Sequence, residues 1–98
     1  MAEIIWSERA IKDLEQIGDY ISNDSVRYAK IVVQKLFHRP QSLANTPYLG
    51  RVVPEFQLEH IRELIEGSYR IVYSIRSDFQ IIEIVTIHHS KKEFLNLS

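Results

Sequence analysis

The most informative part of this sequence lies between residues 62 and 93, and its centre reads Tyr69-Arg70-Ile71-Val72-Tyr73. The stretch ends on Ile87-His88-His89-Ser90-Lys91-Lys92-Glu93. β-Branched and aromatic residues dominate it, and turn residues interrupt it at Glu66-Gly67-Ser68 and Ser77-Asp78. This pattern predicts three extended segments, at about Ile61 to Ile65, Tyr69 to Arg76 and Gln80 to His88.

Alternation along these strands divides their side chains between two faces of a sheet. We expect the face that carries Tyr69, Ile71, Tyr73 and Ile75 to pack against helices. A two-residue loop at Ser77-Asp78 would place Ile82 and Ile84 on this same face. The other face, open to solvent, is then predicted to carry Arg70, Val72, Ser74, Arg76, Glu83, Val85, Ile87 and His89.

Two amphipathic helices are predicted before these strands. A short strand from Ala2 to Trp6 leads to Ser7, a residue type that favours the N-cap position. The helix after it has an apolar stripe at Ile11, Leu14, Ile17 and Ile21. Ser25 is the predicted cap of a second helix, whose stripe is Ala29, Val32, Val33 and Leu36 and which Pro40 should kink or end.

The predicted order of elements is β-α-α-β-β-β. It indicates a single α+β domain over residues 1–98, with a helical hairpin packed on one face of an antiparallel sheet. We expect a further short strand near Val52-Val53. Residues Lys91 to Leu97 are predicted to form either a short terminal helix or a frayed tail.

Composition excludes several classes of protein. The 98 residues contain no cysteine, which excludes disulfides and thiolate metal sites and fits a reducing compartment. The start has no basic segment and no long apolar run, so it does not resemble a signal peptide. No apolar stretch approaches the roughly 20 residues that span a bilayer. We therefore expect a cytoplasmic protein.

The net charge is −1, but the charges are unevenly spread. Residues 25 to 54 contain five basic side chains and no acidic one: Arg27, Lys30, Lys35, Arg39 and Arg51. Such a segment can attract an anionic partner, or it can simply be a solvated helix face.

The sequence lacks the motifs of several familiar sites. There is no glycine-rich phosphate loop and no nucleophile elbow, and we predict no cofactor. His88 and His89 are neighbours on a strand and should point to opposite faces, so they cannot easily share a metal ion. We therefore predict no metal site.

Arg62, Arg70 and His89 are the residues from which an RNA-cleaving site could be built. Cleavage through the 2′-hydroxyl needs a base, an acid and cations for the phosphate. Histidine can exchange a proton near neutral pH, and arginine offers a charged fork to a phosphate. The three residues could fill these roles if they converge on the open face.

A purely structural interpretation of these residues is also open. In it, Arg70 pairs with Glu83 and His89 merely ends a strand, while Tyr73 belongs to the core. Tyr48 and Phe56 in the connecting region are the candidates for stacking on single-stranded RNA. An aromatic residue in such a position is more often a core anchor beneath a loop.

Several short motifs, in order along the whole chain, resemble the RelE/ParE superfamily of toxins from type II toxin–antitoxin systems. The first are Trp6-Ser7 and Ala10-x-x-Asp13-Leu14-x-x-Ile17-x-x-Tyr20-Ile21. The others are Leu43-x-x-x-Pro47-x-x-Gly50-Arg51, Arg62, Tyr69-Arg70-Ile71-Val72-Tyr73 and His89-x-x-Lys92.

The resemblance implies a toxin that a cognate antitoxin neutralises, in a complex that often binds operator DNA. ParE-like members inhibit DNA gyrase, whereas RelE-like members cleave messenger RNA on the ribosome. The ParE-like branch is favoured because the strand His60-Ile61-Arg62-Glu63-Leu64 is not lysine-rich. The net charge is also unlike that of a ribosome-bound nuclease.

Two alternatives stay open at this point. Arg70 lies where RelE-like toxins carry a catalytic arginine, and His89 is compatible with a YoeB-like endoribonuclease. In that case the protein is an enzyme, with Arg62, Arg70 and His89 as catalytic residues. The weaker alternative is an interaction module without toxicity.

Overall fold

The computed structural model describes residues 1–76, 78 and 80–90. The predicted Lys91 to Leu97 segment, Lys92 of the last motif and Ser77 lie outside the described residues. The elements are β1 (Glu3–Trp6), α1 (Glu8–Ser22), α2 (Val26–His38), a 3₁₀ helix (Arg39–Ala44), β2 (Arg51–Val52), β3 (Ile61–Glu66), β4 (Tyr69–Arg76) and β5 (Ile81–His89).

The two helices begin where their caps were predicted. The hydroxyl oxygen of Ser7 accepts a hydrogen bond from the Ala10 amide at 3.0 Å, and that of Ser25 accepts one from the Tyr28 amide at 3.0 Å. These contacts satisfy amides that have no partner within the first helical turn. α2 ends at His38, and the chain continues as the 3₁₀ helix that contains Pro40.

A glycine brings the two helices together. A Cβ atom added to Gly18 of α1 would lie 3.1 Å from a side-chain methyl group of Val33 in α2. The small residue therefore lets the helices of the hairpin approach closely. Among the described residues, no helix has the length and apolar character needed to cross a membrane.

The sheet has five strands in the order β1-β5-β4-β3-β2, which confirms the α+β class and the helical hairpin on one face. One detail differs from the prediction. β1 runs parallel to β5, while all other neighbouring strands are antiparallel, so the sheet is mixed. The parallel pairing is possible because both helices and the other strands separate β1 from β5 along the chain.

The core lies between the helices and one face of the sheet, which we call the helix face. Ile71, Tyr73, Ile82 and Ile84 belong to this apolar cluster, as the alternation predicted. Helix residues that complete it include Ala10, Leu14, Ile17, Val32 and Leu36. The opposite face of the sheet is called the open face below.

A register shift in β5 overturns part of the face assignment. Val72 pairs with Thr86 but Tyr73 pairs with Ile84, so Val85 is an extra residue, a β-bulge. Beyond the bulge every side chain of β5 lies on the face opposite to the predicted one. The predictions that Ile87 and His89 share the open face with Arg70 are therefore wrong: they lie on the helix face, and Ile87 is buried in the core.

The start of α1 covers the edge of β5 beyond the region paired with β1. The Ser7 hydroxyl donates to the Val85 carbonyl at 2.8 Å. The Asp13 carboxylate accepts from the Ile87 amide at 3.1 Å and from the Thr86 hydroxyl. The Trp6-Ser7 and Ala10-x-x-Asp13-Leu14 motifs thus have a structural task, which is to satisfy a bulged strand edge.

Candidate functional site

Arg70 lies on the open face of β4, where two carboxylates hold its guanidinium. Its Nε donates to Glu63 Oε1 at 2.6 Å. Nη1 and Nη2 each donate to one oxygen of Glu55 at 2.9 Å, which forms a bidentate pair. The prediction that Arg70 pairs with Glu83 is wrong, because Glu83 binds Arg76 at 3.1 Å. The guanidinium donors that a phosphate would need are therefore already bound to carboxylates.

Burial and charge reinforce one another in this cluster. The Glu63 side chain is 0% exposed and also accepts from Nε of Arg51 at 2.6 Å. The hydrogen bonds from Arg70 hold the pKa of Glu55 at about 2, well below its ordinary value. The hydrogen bonds that Arg70 donates to Glu55, and then those it donates to Glu63, raise the pKa of Arg70. Both partners thus stay ionised and paired at neutral pH.

Arg62 lies on the helix face of β3, opposite Tyr73, and binds two loops. Its Nε donates to the Glu59 carbonyl at 3.0 Å and its Nη2 to the Glu59 carboxylate at 2.7 Å. Nη1 donates to the Gly50 carbonyl at 2.9 Å. The guanidinium also lies 4.5 Å from the centroid of the Tyr48 ring, a cation–π distance.

Tyr73 holds the segment before β2 against the sheet. It is fully buried, as predicted, and its hydroxyl donates to the Pro47 carbonyl at 2.8 Å while accepting from the Gly50 amide at 2.9 Å. A Cβ atom at Gly50 would lie 2.4 Å from the Glu63 carbonyl oxygen, so only glycine fits there. The Pro47-x-x-Gly50 spacing therefore reflects this docking.

The two histidines at the end of β5 lie in different surroundings. His89 is exposed, and its ring centroid is 5.7 Å from that of Tyr69. His88 lies opposite Arg70 on the open face and is buried. Burial, and then the charge of Arg70, lowers the pKa of His88, so the neutral ring is favoured.

The three predicted catalytic residues are not brought together. Arg70 lies on the open face, whereas Arg62 and His89 lie on the helix face. Arg62 is opposite Tyr73 and His89 is opposite Tyr69. These two tyrosines are four residues apart, which is about 13 Å along β4, and Arg62 and His89 lie on opposite sides of that strand. The described residues contain no group of acidic or histidine side chains that could hold a metal ion.

Sequence reasoning missed Glu55 and Glu63 as the partners of Arg70. For Glu63 a signal was available, because the short turn at Gly67-Ser68 pairs Ile65 with Arg70. Residue 63 is two positions from Ile65 and must share its face, next to Arg70. No comparable signal existed for Glu55, which reaches the sheet from a loop.

A second surface lies on the helical hairpin. Tyr20, Val26 and Tyr28 are exposed there at 75%, 61% and 57%. Beside them a cavity of about 150 Å³ opens between α2 and the turn that joins β3 and β4. Its lining includes Tyr28, Ile31, Val32, Lys35, Leu36 and Tyr69.

The fold of two helices on a five-stranded mixed sheet is that of the RelE and ParE toxins. The chain of the chromosomal ParDE system from P. aeruginosa superposes with a TM-score of 0.76 at 21% identity, over 93% of this chain and 98% of that one. The isolated E. coli RelE toxin superposes with a TM-score of 0.68 at 12% identity, over 97% and 90%.

Sequence comparison assigns the family. The model of the ParE toxin of the type II toxin–antitoxin system parDE matches residues 4–94. Toxin RelE2 of Caulobacter vibrioides is 32% identical over 93 residues, which cover 94% of this chain and 99% of that toxin. The chain belongs to the ParE toxin family, within the RelE/ParE superfamily of type II toxins, and the predicted resemblance is confirmed.

Proposed function

We propose that this toxin acts by binding a protein, DNA gyrase, rather than by cleaving RNA. The observation that carries the proposal is the environment of Arg70, whose guanidinium is buried and bound by Glu55 and Glu63. An arginine in this state cannot offer a fork to a phosphate without first losing a carboxylate. The match to the ParE family supports the same conclusion.

The charge pattern of the open face also favours a protein target. Each arginine that the structure describes on this face, at positions 51, 70 and 76, contacts a carboxylate. Affinity for nucleic acid depends mainly on basic side chains that can neutralise phosphates. A face with paired charges on a chain of net charge −1 is poorly suited to hold messenger RNA.

Ribosome-dependent RNA cleavage is the second candidate, because one relative bears the name Toxin RelE2. In that case Arg62, Arg70 and His89 are the catalytic residues. Glu55 would have to leave Arg70, and His89 would have to act from the other face of the sheet. The candidate therefore requires a rearrangement that gyrase binding does not.

We further propose that a cognate antitoxin neutralises this toxin in the cytoplasm and that their complex binds operator DNA. Solved relatives include the E. coli RelBE toxin–antitoxin complex. On this chain, the exposed apolar residues of the helical hairpin adjoin the acid-free segment from 25 to 54. This combination suits an antitoxin segment with apolar and acidic side chains.

The antitoxin surface can be tested by charge reversal. Lys30 and Lys35 are exposed on α2, and replacing both by glutamate should weaken antitoxin binding at least tenfold at low salt. Reversal of the exposed Arg76 on the open face is the matched control and should leave affinity unchanged. Equal affinities for all three proteins would contradict this placement of the antitoxin.

Two assays on the purified toxin separate the two functions. The first follows supercoiling of relaxed plasmid by gyrase, and the second follows messenger RNA on translating ribosomes. We expect the toxin to inhibit supercoiling and to leave the RNA intact, and we expect His89→Ala to do the same. Intact supercoiling together with RNA cleavage that His89→Ala abolishes would instead establish the nuclease.

A further inference from the structure

The connection between β2 and β3 is a compact loop closed on itself. We call residues 53–61 the closed loop. The amide of Val53 donates to the Ile61 carbonyl at 3.2 Å, which joins its two ends. The Val53 carbonyl accepts from the amides of Phe56 at 3.1 Å and Gln57 at 2.9 Å. A short loop with joined ends and internal hydrogen bonds is an ordered surface feature, and such loops are frequently functional.

Two arginines hold the closed loop from opposite faces of the sheet. On the open face, Arg70 binds both carboxylate oxygens of Glu55 at 2.9 Å. On the helix face, Arg62 binds the carbonyl and the carboxylate of Glu59. The loop therefore straddles the edge of the sheet and is anchored on both sides of its tip.

The tip between these anchors presents apolar side chains in a strained backbone. Phe56 and Leu58 are 44% and 45% exposed, so neither side chain is buried as a core anchor. Gln57 between them has φ 53°, in the left-handed region that a residue other than glycine rarely adopts. Strain of this kind persists where surrounding contacts enforce it, and it is concentrated at functional sites.

A second apolar pair adjoins the tip through Arg62. The Tyr48 ring stacks on this guanidinium, which also binds Gly50 and Glu59. Tyr48 and Leu49 are 46% and 48% exposed. The arginine thus joins the two loops into one ordered apolar surface, and rigid aromatic residues of this kind dominate the energy of protein interfaces.

The charges of this surface indicate what can bind it. Arg62 and Arg70 are both neutralised by glutamates of the closed loop, so they do not attract a polyanion. At the rim the Glu59 carboxylate, on a side chain that is 82% exposed, is in turn paired with Arg62. An apolar centre whose bordering charges are paired suits an apolar pocket on a protein, and not the phosphates of a nucleic acid.

We propose that the closed loop, with Phe56 and Leu58 at its tip, is the surface by which the toxin contacts its protein target. The inference rests on the proposed function and names the contact surface within it. The two anchors give the loop its binding shape before the target arrives, which reduces the conformational entropy lost on binding. Arg62 and Arg70 are then positioning residues that act through Glu59 and Glu55.

The test uses the whole toxin and purified gyrase. In the loop variant, Phe56→Ser and Leu58→Ser are combined. In the control variant, Ile11→Ser and Ile65→Ser remove two apolar side chains outside the closed loop, which are 46% and 48% exposed. Circular dichroism and thermal unfolding establish that both variants fold. A third variant, Glu59→Ala, removes one anchor and retains the apolar tip.

We expect the loop variant to need at least tenfold more protein than the wild type to inhibit supercoiling. The control variant should match the wild type, and Glu59→Ala should fall between the two. If the wild type inhibits and the folded loop variant inhibits equally well, the inference is overturned and the gyrase proposal stands. If the wild type itself does not inhibit, both the proposed function and the inference that rests on it fail.

Two further outcomes would assign the surface to another occupant. A loop variant that loses self-association while it keeps its inhibition would show that a second copy of the chain covers the loop. A loop variant that loses only antitoxin binding would place the antitoxin there. Each of these results overturns the proposal.

Discussion

The two faces of β4 are both shielded from water, but by different chemistry. On the helix face, Ile71 and Tyr73 share an apolar cluster with Leu36. On the open face, Arg70 and Glu63 are as deeply buried, at 6% and 1% exposure, within a network of charges. An apolar contact tolerates loss of one partner better than an ion pair does, because the remaining partner needs no compensating charge. The open face should therefore be the more cooperative of the two.

Replacement of Glu63 should have the largest effect. Glu63→Leu leaves the Arg70 guanidinium buried with only one carboxylate, and we expect the free energy of unfolding to fall by about 3–5 kcal/mol. Urea denaturation of the purified toxin measures this change. Leu36→Ala supplies the benchmark on the helix face, where the loss of packing should cost about 2–5 kcal/mol.

The double variant Glu63→Leu with Arg70→Met decides whether the open face behaves as a pair. Replacing both members of a buried ion pair by apolar residues is often neutral. We therefore expect the double variant to be more stable than either single variant. Simple addition of the two single effects would mean that the contacts act independently, and the contrast between the faces would disappear.

A smaller effect is expected where the helix face carries its own polar contact. Tyr73→Phe removes the hydroxyl that binds the Pro47 carbonyl and the Gly50 amide, and it preserves the packing of the ring. The loss of these buried hydrogen bonds should lower the free energy of unfolding by about 1–3 kcal/mol. Hydrogen exchange should show faster exchange at Gly50. An unchanged rate there would mean that water replaces the hydroxyl without cost.

The smallest effect should appear only in acid. The pKa of Glu55 is about 2 in the folded protein and about 4.5 ordinarily. The stabilisation from its contact with Arg70 is therefore complete above about pH 4.5 and is lost as the pH falls towards 2. Glu55→Gln should flatten the pH dependence of stability in this window. Parallel curves for the wild type and the variant would show that Glu55 does not hold the loop.

The helix face was predictable from the sequence because local signals determine it. Ser7, Ser25 and the apolar stripes fixed the helices, and alternation placed Ile71, Tyr73, Ile82 and Ile84 in the core. The parallel pairing of β1 with β5 was not predictable in this way. A four-residue strand carries no local signal for its partner in a sheet.

The open face depended on two features that local pattern does not encode. The bulge at Val85 reverses the faces of Ile87, His88 and His89, and strand periodicity gives no sign of one extra residue. Glu55 reaches Arg70 from a loop whose shape depends on a left-handed residue, Gln57. For this reason the sequence could not show that the three candidate catalytic residues lie on different faces of the sheet.

In the proposed function, this toxin binds a protein and does not cut RNA. The most direct measurement is incorporation of labelled thymidine, uridine and methionine in a bacterial host after the toxin is induced alone. If the toxin inhibits gyrase, DNA synthesis should fail first, while protein synthesis continues. Early failure of protein synthesis with DNA synthesis intact would contradict it and would favour the ribosome-dependent nuclease.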